Sequence, residues 1–166
     1  MNQALHPTAG PAPADSLPDR REGCALCRDD GGQVIHRHSR WRVVWVDDLN
    51  FPGFTRVIWQ AHRREMTDLL TEERDEIMRV VLTVETLMRQ WLNPDKINLA
   101  SLGNEVDHVH WHVIPRWRAD SHFPRPIWAQ PPDDSRGALR VDPARLQGYR
   151  EALMAGFGHR QLSRDD

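Results

Sequence analysis

Residues 108–116 spell HVHWHVIPR, and no other stretch constrains the fold so tightly. His108, His110 and His112 alternate with Val109, Trp111 and Val113. Successive side chains of a β-strand point to opposite faces, so a period of two puts the imidazoles on one face and the apolar residues on the other. A helix would scatter the histidines around its axis, and the β-branched and aromatic spacers also favour a strand. The stretch predicts a strand over 106–114, its apolar back buried and its end closed by Pro115. A row of three imidazoles has three uses. It can be a solvated polar face. It can supply ligands to a zinc ion that activates water. Or one neutral imidazole can attack phosphorus while its neighbours orient it and donate hydrogen bonds to phosphate oxygens. With an ordinary pKa of about 6.5, such a nucleophile is largely neutral near pH 7.

The surroundings of the strand predict an α+β domain. Short alternating or apolar runs at 33–36, 41–47, 54–60 and 96–102 are expected strands, with a turn around Pro52 and Gly53 and a turn or bulge at Gly103 and Asn104. A long helix is expected from an N-cap at Thr71, with Glu72 and Glu73 suiting its dipole. Ile77, Val81, Val84, Met88 and Trp91 recur at spacings of three and four and predict its buried face, and Asn93-Pro94 ends it. Asp142 caps a second helix with Pro143 at its first position, and Leu146, Tyr149, Leu153 and Phe157 form one apolar face. The sum is a mostly antiparallel sheet of about five strands with a long helix and a C-terminal helix. Three segments follow: a disordered tail over 1–20, a domain over 21–118, and a C-terminal extension over 119–166 packed on that domain.

Charge and targeting signals narrow the function classes. The chain has 22 Lys+Arg against 24 Asp+Glu, which gives no basic footprint for duplex nucleic acid but leaves room for a small phosphate ligand. No apolar run approaches the roughly 20 residues of a transmembrane helix, so no membrane partner is expected. Residues 1–20 lack the apolar core of a secretory signal, and a cytoplasmic location is expected. There the pair Cys24 and Cys27 is not expected to form a structural disulfide. His36 and His38 are expected at the surface. Phe123 and Trp128 are expected to cover apolar surface with His122 incidental, and Arg116, Arg118 and Arg125 to be solvated.

The stretch His108-Val109-His110-Trp111-His112-Val113-Ile114 fits His-φ-His-φ-His-φ-φ, with φ apolar, at every position. In this the chain resembles the histidine-triad (HIT) superfamily of nucleotide hydrolases and transferases. Gly53-Phe54-Thr55-Arg56-Val57-Ile58-Trp59-Gln60-Ala61-His62 is similar to a second family strand, Gly-His-Thr-φ-Val-Ile-Pro-Lys-x-His, with Trp59 and Gln60 replacing Pro-Lys. The resemblance implies a HIT-like fold and a nucleotide substrate cleaved at a phosphoanhydride or phosphoramidate bond through a nucleotidyl-histidine. It implies His110, the middle histidine, as nucleophile, His112, the third, on the phosphate or ribose oxygen, and His108, the first, as the remaining catalytic-strand histidine. It further implies Asn98 and Asn104 at phosphate, although the loop after Asn98 is one residue shorter, and Asp47 (or Asp48) at ribose hydroxyls. Some related proteins hold a structural zinc, and the matching residues are Cys24, Cys27, His62 and His108; no organic cofactor is implied, and a homodimer is. Glu105 stands where several members carry Ser or Thr beside the phosphate. Two alternatives stay open: a zinc-dependent hydrolase that uses the three histidines as ligands, and a non-catalytic nucleotide-binding protein.

Overall fold

The computed structural model describes residues 19–132 and 139–158. The expected tail lies outside the described residues except for Asp19 and Arg20. A short helix α1 (Ala25–Arg28) precedes β1 (Gln33–Arg37), β2 (Trp41–Trp45) and β3 (Thr55–Trp59). A single 3-10 turn at Met66–Asp68 leads into α2 (Thr71–Leu92), then β4 (Lys96–Ala100), β5 (His110–Arg116) and α3 (Pro143–Gly158). The five strands form one antiparallel sheet in the order β1-β2-β3-β5-β4. This is the expected α+β architecture. Among the described residues, no helix is long and apolar enough to cross a membrane.

The alternation of each strand decides the two faces of the sheet. Val43, Val57, Val109 and Val113 join Ile77, Val80, Val81, Val84, Met88 and Leu92 of α2 and Tyr149, Leu153 and Phe157 of α3 in one core. Burying a side chain of this size contributes about 1.5–3 kcal/mol. Tyr149 also ties α3 to the sheet. Its hydroxyl donates to Thr55 Oγ1 (3.0 Å), whose own hydroxyl donates to the Gly53 carbonyl (3.0 Å). On the opposite face, Val44 and Ile58 pack on Cys24, Leu26 and Cys27, while Ile114 packs on Phe51 and Phe54. The functional side chains lie on this second face, between the α1 turn and the segment after β5.

Several boundaries differ from expectation. β5 starts at His110 rather than at residue 106, because the His108 N–H turns back onto the Val106 carbonyl (2.8 Å). The strand also runs through Pro115 to Arg116. Pairing with β3 ends at Val113, so Pro115 has a strand on only one side, where a proline is tolerated. β2 and β4 end earlier than expected, at Trp45 and Ala100. The N-cap of α2 is Leu70, not Thr71, and the Glu73 carboxylate accepts the Leu70 N–H (2.9 Å). Asn93 ends the helix in the left-handed conformation (φ 47°). Trp91 is half-exposed, not core. Its ring lies over Gly148 of α3, where a Cβ would come within 2.3 Å of a ring carbon, and Leu92 takes the buried position instead. Asp142 caps α3 as expected, accepting the Ala144 N–H (2.9 Å).

Candidate active site and candidate metal centre

The three histidines have different partners and do not stand in one row. His110 is buried, and its Nδ1 lies 2.6 Å from the His108 carbonyl. A carbonyl only accepts, so Nδ1 carries the proton and Nε2 keeps its lone pair. Burial lowers the His110 pKa below the ordinary imidazole value; the His108 carbonyl opposes this and Arg56 adds to it. His112 stands edge-on to His110, with ring centroids 4.8 Å apart. The register pairs Arg56 of β3 with His112, and Arg56 Nε donates to His112 Nδ1 (3.4 Å). An arginine N–H cannot accept, so here Nδ1 carries the lone pair and Nε2 the proton. Burial, with His110 and Arg56 nearby, pushes His112 down to about 3. The two neighbouring rings are thus both neutral and in opposite tautomers.

His110 and His112 line a cavity of about 370 Å³ with Arg56, Asn104, Glu105 and Trp128. Leu26, Leu102 and Val106 supply apolar wall. The expected phosphate ligand Asn104 is therefore at the cavity. Asn98 lies on the same sheet face, paired with Ile114, but its Oδ1 accepts from Arg116 Nη1 (2.8 Å). Asp47 is exposed just beyond β2. Glu105 is on the cavity wall as the one carboxylate there, opposite in charge to Arg56.

Four site features were not found from sequence. Arg56 takes an apolar position of the resembled motif, and only its phase, shared with Phe54 and Ile58, points to the catalytic face. Trp128 does more than cover apolar surface, because its ring meets His112 edge-on at 5.1 Å. Arg116 is buried rather than solvated, and bonds Asp120 through Nε (2.7 Å) and Nη2 (3.0 Å). The segment that carries Trp128 folds around that pair. Arg42 is buried and donates to the carbonyls of Leu26, Asp29 and Asp30, which ties the cysteine-bearing turn to the sheet. His36 and His38 are half-buried against Trp41, not free surface residues.

Cys24, Cys27, His62 and His108 converge, with one ligand atom from each lying within 4.8 Å of all the others. The cysteines are not disulfide-bonded. His108 Nδ1 is 3.5 Å from both Cys24 Sγ and Cys27 Sγ, and His62 Nδ1 is 3.5 Å from Cys27 Sγ. Around a tetrahedral zinc, with bonds of about 2.3 Å to sulfur and about 2.0–2.1 Å to nitrogen, S···N edges of about 3.6 Å are expected. His108 Nε2 donates to the Trp59 carbonyl (2.7 Å), which leaves Nδ1 bare toward the sulfurs, the arrangement of a ligating histidine. The donor set fits a closed Cys₂His₂ site. It does not fit a three-histidine centre, since His108 faces the cysteines while His110 and His112 face the cavity.

A family model of the HIT domain matches residues 32–119, more than half of the chain. An uncharacterized HIT-like protein of Methanocaldococcus jannaschii is 28% identical over 107 residues, covering 58% of this chain and 81% of that one. The crystal structure of a histidine triad protein from Bradyrhizobium japonicum is 26% identical, with a TM-score of 0.61 over 76% of this chain and 90% of that one. A histidine triad family protein from Mycobacterium smegmatis, described as Zn-bound, shares the fold at 22% identity, with a TM-score of 0.54 over 82% of this chain and 96% of that one. With its triad strand, sheet order and matched domain, this chain belongs to the HIT family, within a broadly nucleotide-binding and hydrolytic superfamily.

Proposed function

We propose that the protein is a nucleotide hydrolase or nucleotidyl transferase that works through a covalent nucleotidyl-histidine. The observation that carries this reading is the His110 tautomer. Its Nδ1 proton is held by the His108 carbonyl, so the bare Nε2 belongs to a neutral imidazole on the cavity wall. Nε2 attacks the α-phosphorus of the nucleotide. A P–N bond forms, and the bond to the leaving group breaks, the leaving group departing with the electron pair and taking a proton from solvent. Water then adds to phosphorus and returns a proton to solvent, the P–N bond breaks with its electron pair going back to Nε2, and the nucleoside monophosphate leaves with His110 restored. His112 Nε2–H donates to a phosphoryl oxygen, as does the Asn104 amide. Asn98 and Asp47 serve the phosphate and the ribose hydroxyls. The scissile bond is a phosphoanhydride or a phosphoramidate.

A structural zinc on Cys24, Cys27, His62 and His108 belongs to the same proposal, supported by the 3.5 Å S···N edges and the bare Nδ1 of His108. It would fix the turn before β5 that places His110, and it takes no part in the reaction. Burial pushes the Cys27 thiol above its ordinary pKa, so loading releases protons. The protein is further proposed to work as a cytoplasmic homodimer, with β4, an edge strand bearing the exposed Leu99, available for pairing. The test is incubation with labelled diadenosine polyphosphate and adenosine 5′-phosphoramidate, quenching in base, and mapping of a base-stable adduct. An adduct on His110, with turnover lost in a folded His110→Asn variant, is expected. Undiminished turnover in that variant removes the assignment.

A further inference from the structure

Arg56 does two things that a nearby positive charge alone would not require. Its guanidinium is held at both ends, with Nε on His112 Nδ1 (3.4 Å) and Nη1 on the Gly31 carbonyl (3.0 Å), and Cζ lies 5.4 Å from the centroid of the Phe54 ring. It is also half-buried at the cavity, where Glu105 is the one carboxylate on the wall and no ion pair joins the two. Burial lowers the Arg56 pKa. A desolvated cation in that position is costly unless an anion joins it. The β3–β5 register sets Arg56 directly across from His112, so the contact follows from strand pairing rather than from a mobile side chain.

We propose that Arg56 is a positioning residue, holding His112 as the Nε2–H tautomer so that this imidazole donates to the transferred phosphoryl group, and meeting that group with its own unneutralised charge. This rests on the nucleotidyl-histidine reading for its substrate. The arrangement explains why two imidazoles 4.8 Å apart take opposite tautomers. The His108 carbonyl accepts from His110 Nδ1–H and so keeps the proton there, whereas the guanidinium forbids a proton on Nδ1 of His112. Without Arg56 the His112 ring would have no partner selecting its donor end.

Ring-nitrogen NMR of the full chain without nucleotide tests the first half independently of turnover. The wild type is expected to show His112 with bare Nδ1 and protonated Nε2, and Arg56→Met is expected to give a tautomer mixture. Kinetics with adenosine 5′-phosphoramidate test the second half. Arg56→Lys keeps charge without the planar fork, so it should preserve KM while lowering kcat by about 100-fold, the scale of losing one transition-state donor. Arg56→Met should lower kcat equally and raise KM as well. Three results overturn the proposal: a protonated Nδ1 on His112 in the wild type, an unchanged His112 tautomer in Arg56→Met, or wild-type kcat in Arg56→Lys. An arginine that merely anchored the Gly31 loop would lower thermal stability in Arg56→Met and leave the ring nitrogens as they were. A wild type that turns over no nucleotide would end the enzymatic reading, while the ring nitrogens would still decide whether Arg56 controls His112.

Discussion

Asp120→Ala is expected to weaken both the fold and the cavity wall after β5. The buried Asp120 carboxylate accepts five hydrogen bonds: from Arg116 Nε (2.7 Å) and Nη2 (3.0 Å), and from the backbone N–H groups of Trp117 (3.1 Å), His122 (2.9 Å) and Phe123 (2.7 Å). Burial alone would raise this carboxyl, but Arg116 and the backbone donors together hold it below its ordinary value. The alanine variant leaves Arg116, only 2% exposed, without a counter-charge. Removing one side of a buried ion pair costs about 3–5 kcal/mol. Arg116 keeps Asn98 Oδ1 (2.8 Å) and the Arg125 carbonyl (2.8 Å) as acceptors, so the lower end applies, about 3 kcal/mol. In a chain of this size each kcal/mol lowers the midpoint by about 2–4 °C, which gives about 6–12 °C. Calorimetry and urea unfolding read the loss. The sign with pH is set by the depressed carboxyl: its contribution is complete above the unfolded pKa of about 3.9 and disappears as pH falls through the folded value, so wild type and variant converge in acid. The same turn brings Trp128 to His112, so KM should rise in the variant. A loss under about 1 kcal/mol, or a gap that persists unchanged in acid, would refute the reasoning.

Chelation of the zinc-loaded protein, or Cys24→Ser, should lower the unfolding midpoint and reduce turnover in proportion to lost structure, as read by metal analysis beside calorimetry; a metal-free protein of full stability and activity contradicts the Cys₂His₂ centre. The acid limb of kcat/KM should inflect below the ordinary imidazole value of about 6.5, because burial depresses His110 and the proposed nucleophile is the neutral ring. An inflection at or above that value would count against a buried neutral His110. Gly148→Ala should cost about 1–3 kcal/mol through overpacking, since the new Cβ would meet Trp91 ring carbons at 2.3 and 2.4 Å. Trp91→Ala in the same chain should recover part of that loss, and simple additivity in the double variant would show that the two helices do not touch there.

The parts of the fold that were legible in the sequence are those where one local signal had no competitor. Period-two alternation placed β2 and the centre of β5, and the three-four spacing from Ile77 to Met88 placed the buried face of α2. What escaped depended on partners distant in sequence. Trp91 fits the helical period but lies where α3 leaves only the space of Gly148. Arg116 looks like a solvated end-of-strand arginine until Asp120 folds back beneath it. Arg56 is invisible as a site residue until the β3–β5 register sets it across from His112. The Cys₂His₂ cluster came from the resemblance, because no spacing rule joins Cys24 to His108 across 84 positions.

The triad is therefore better described as three imidazoles sorted by what each Nδ1 meets. His108 Nδ1 meets two sulfurs, His110 Nδ1 meets a carbonyl oxygen, and His112 Nδ1 meets a guanidinium N–H. The carbonyl at Nδ1 of His110 leaves its Nε2 bare, and the guanidinium at Nδ1 of His112 leaves the proton on Nε2, so in the proposed mechanism these surroundings decide which ring attacks and which donates. The strand supplies only the spacing. The strand proper begins at His110, and just before it the His108 N–H turns back onto the Val106 carbonyl (2.8 Å). The turn at Val106–His108 thus divides one repeated sequence into a candidate metal centre and a candidate nucleophile, joined by the single carbonyl of His108 that accepts the His110 proton.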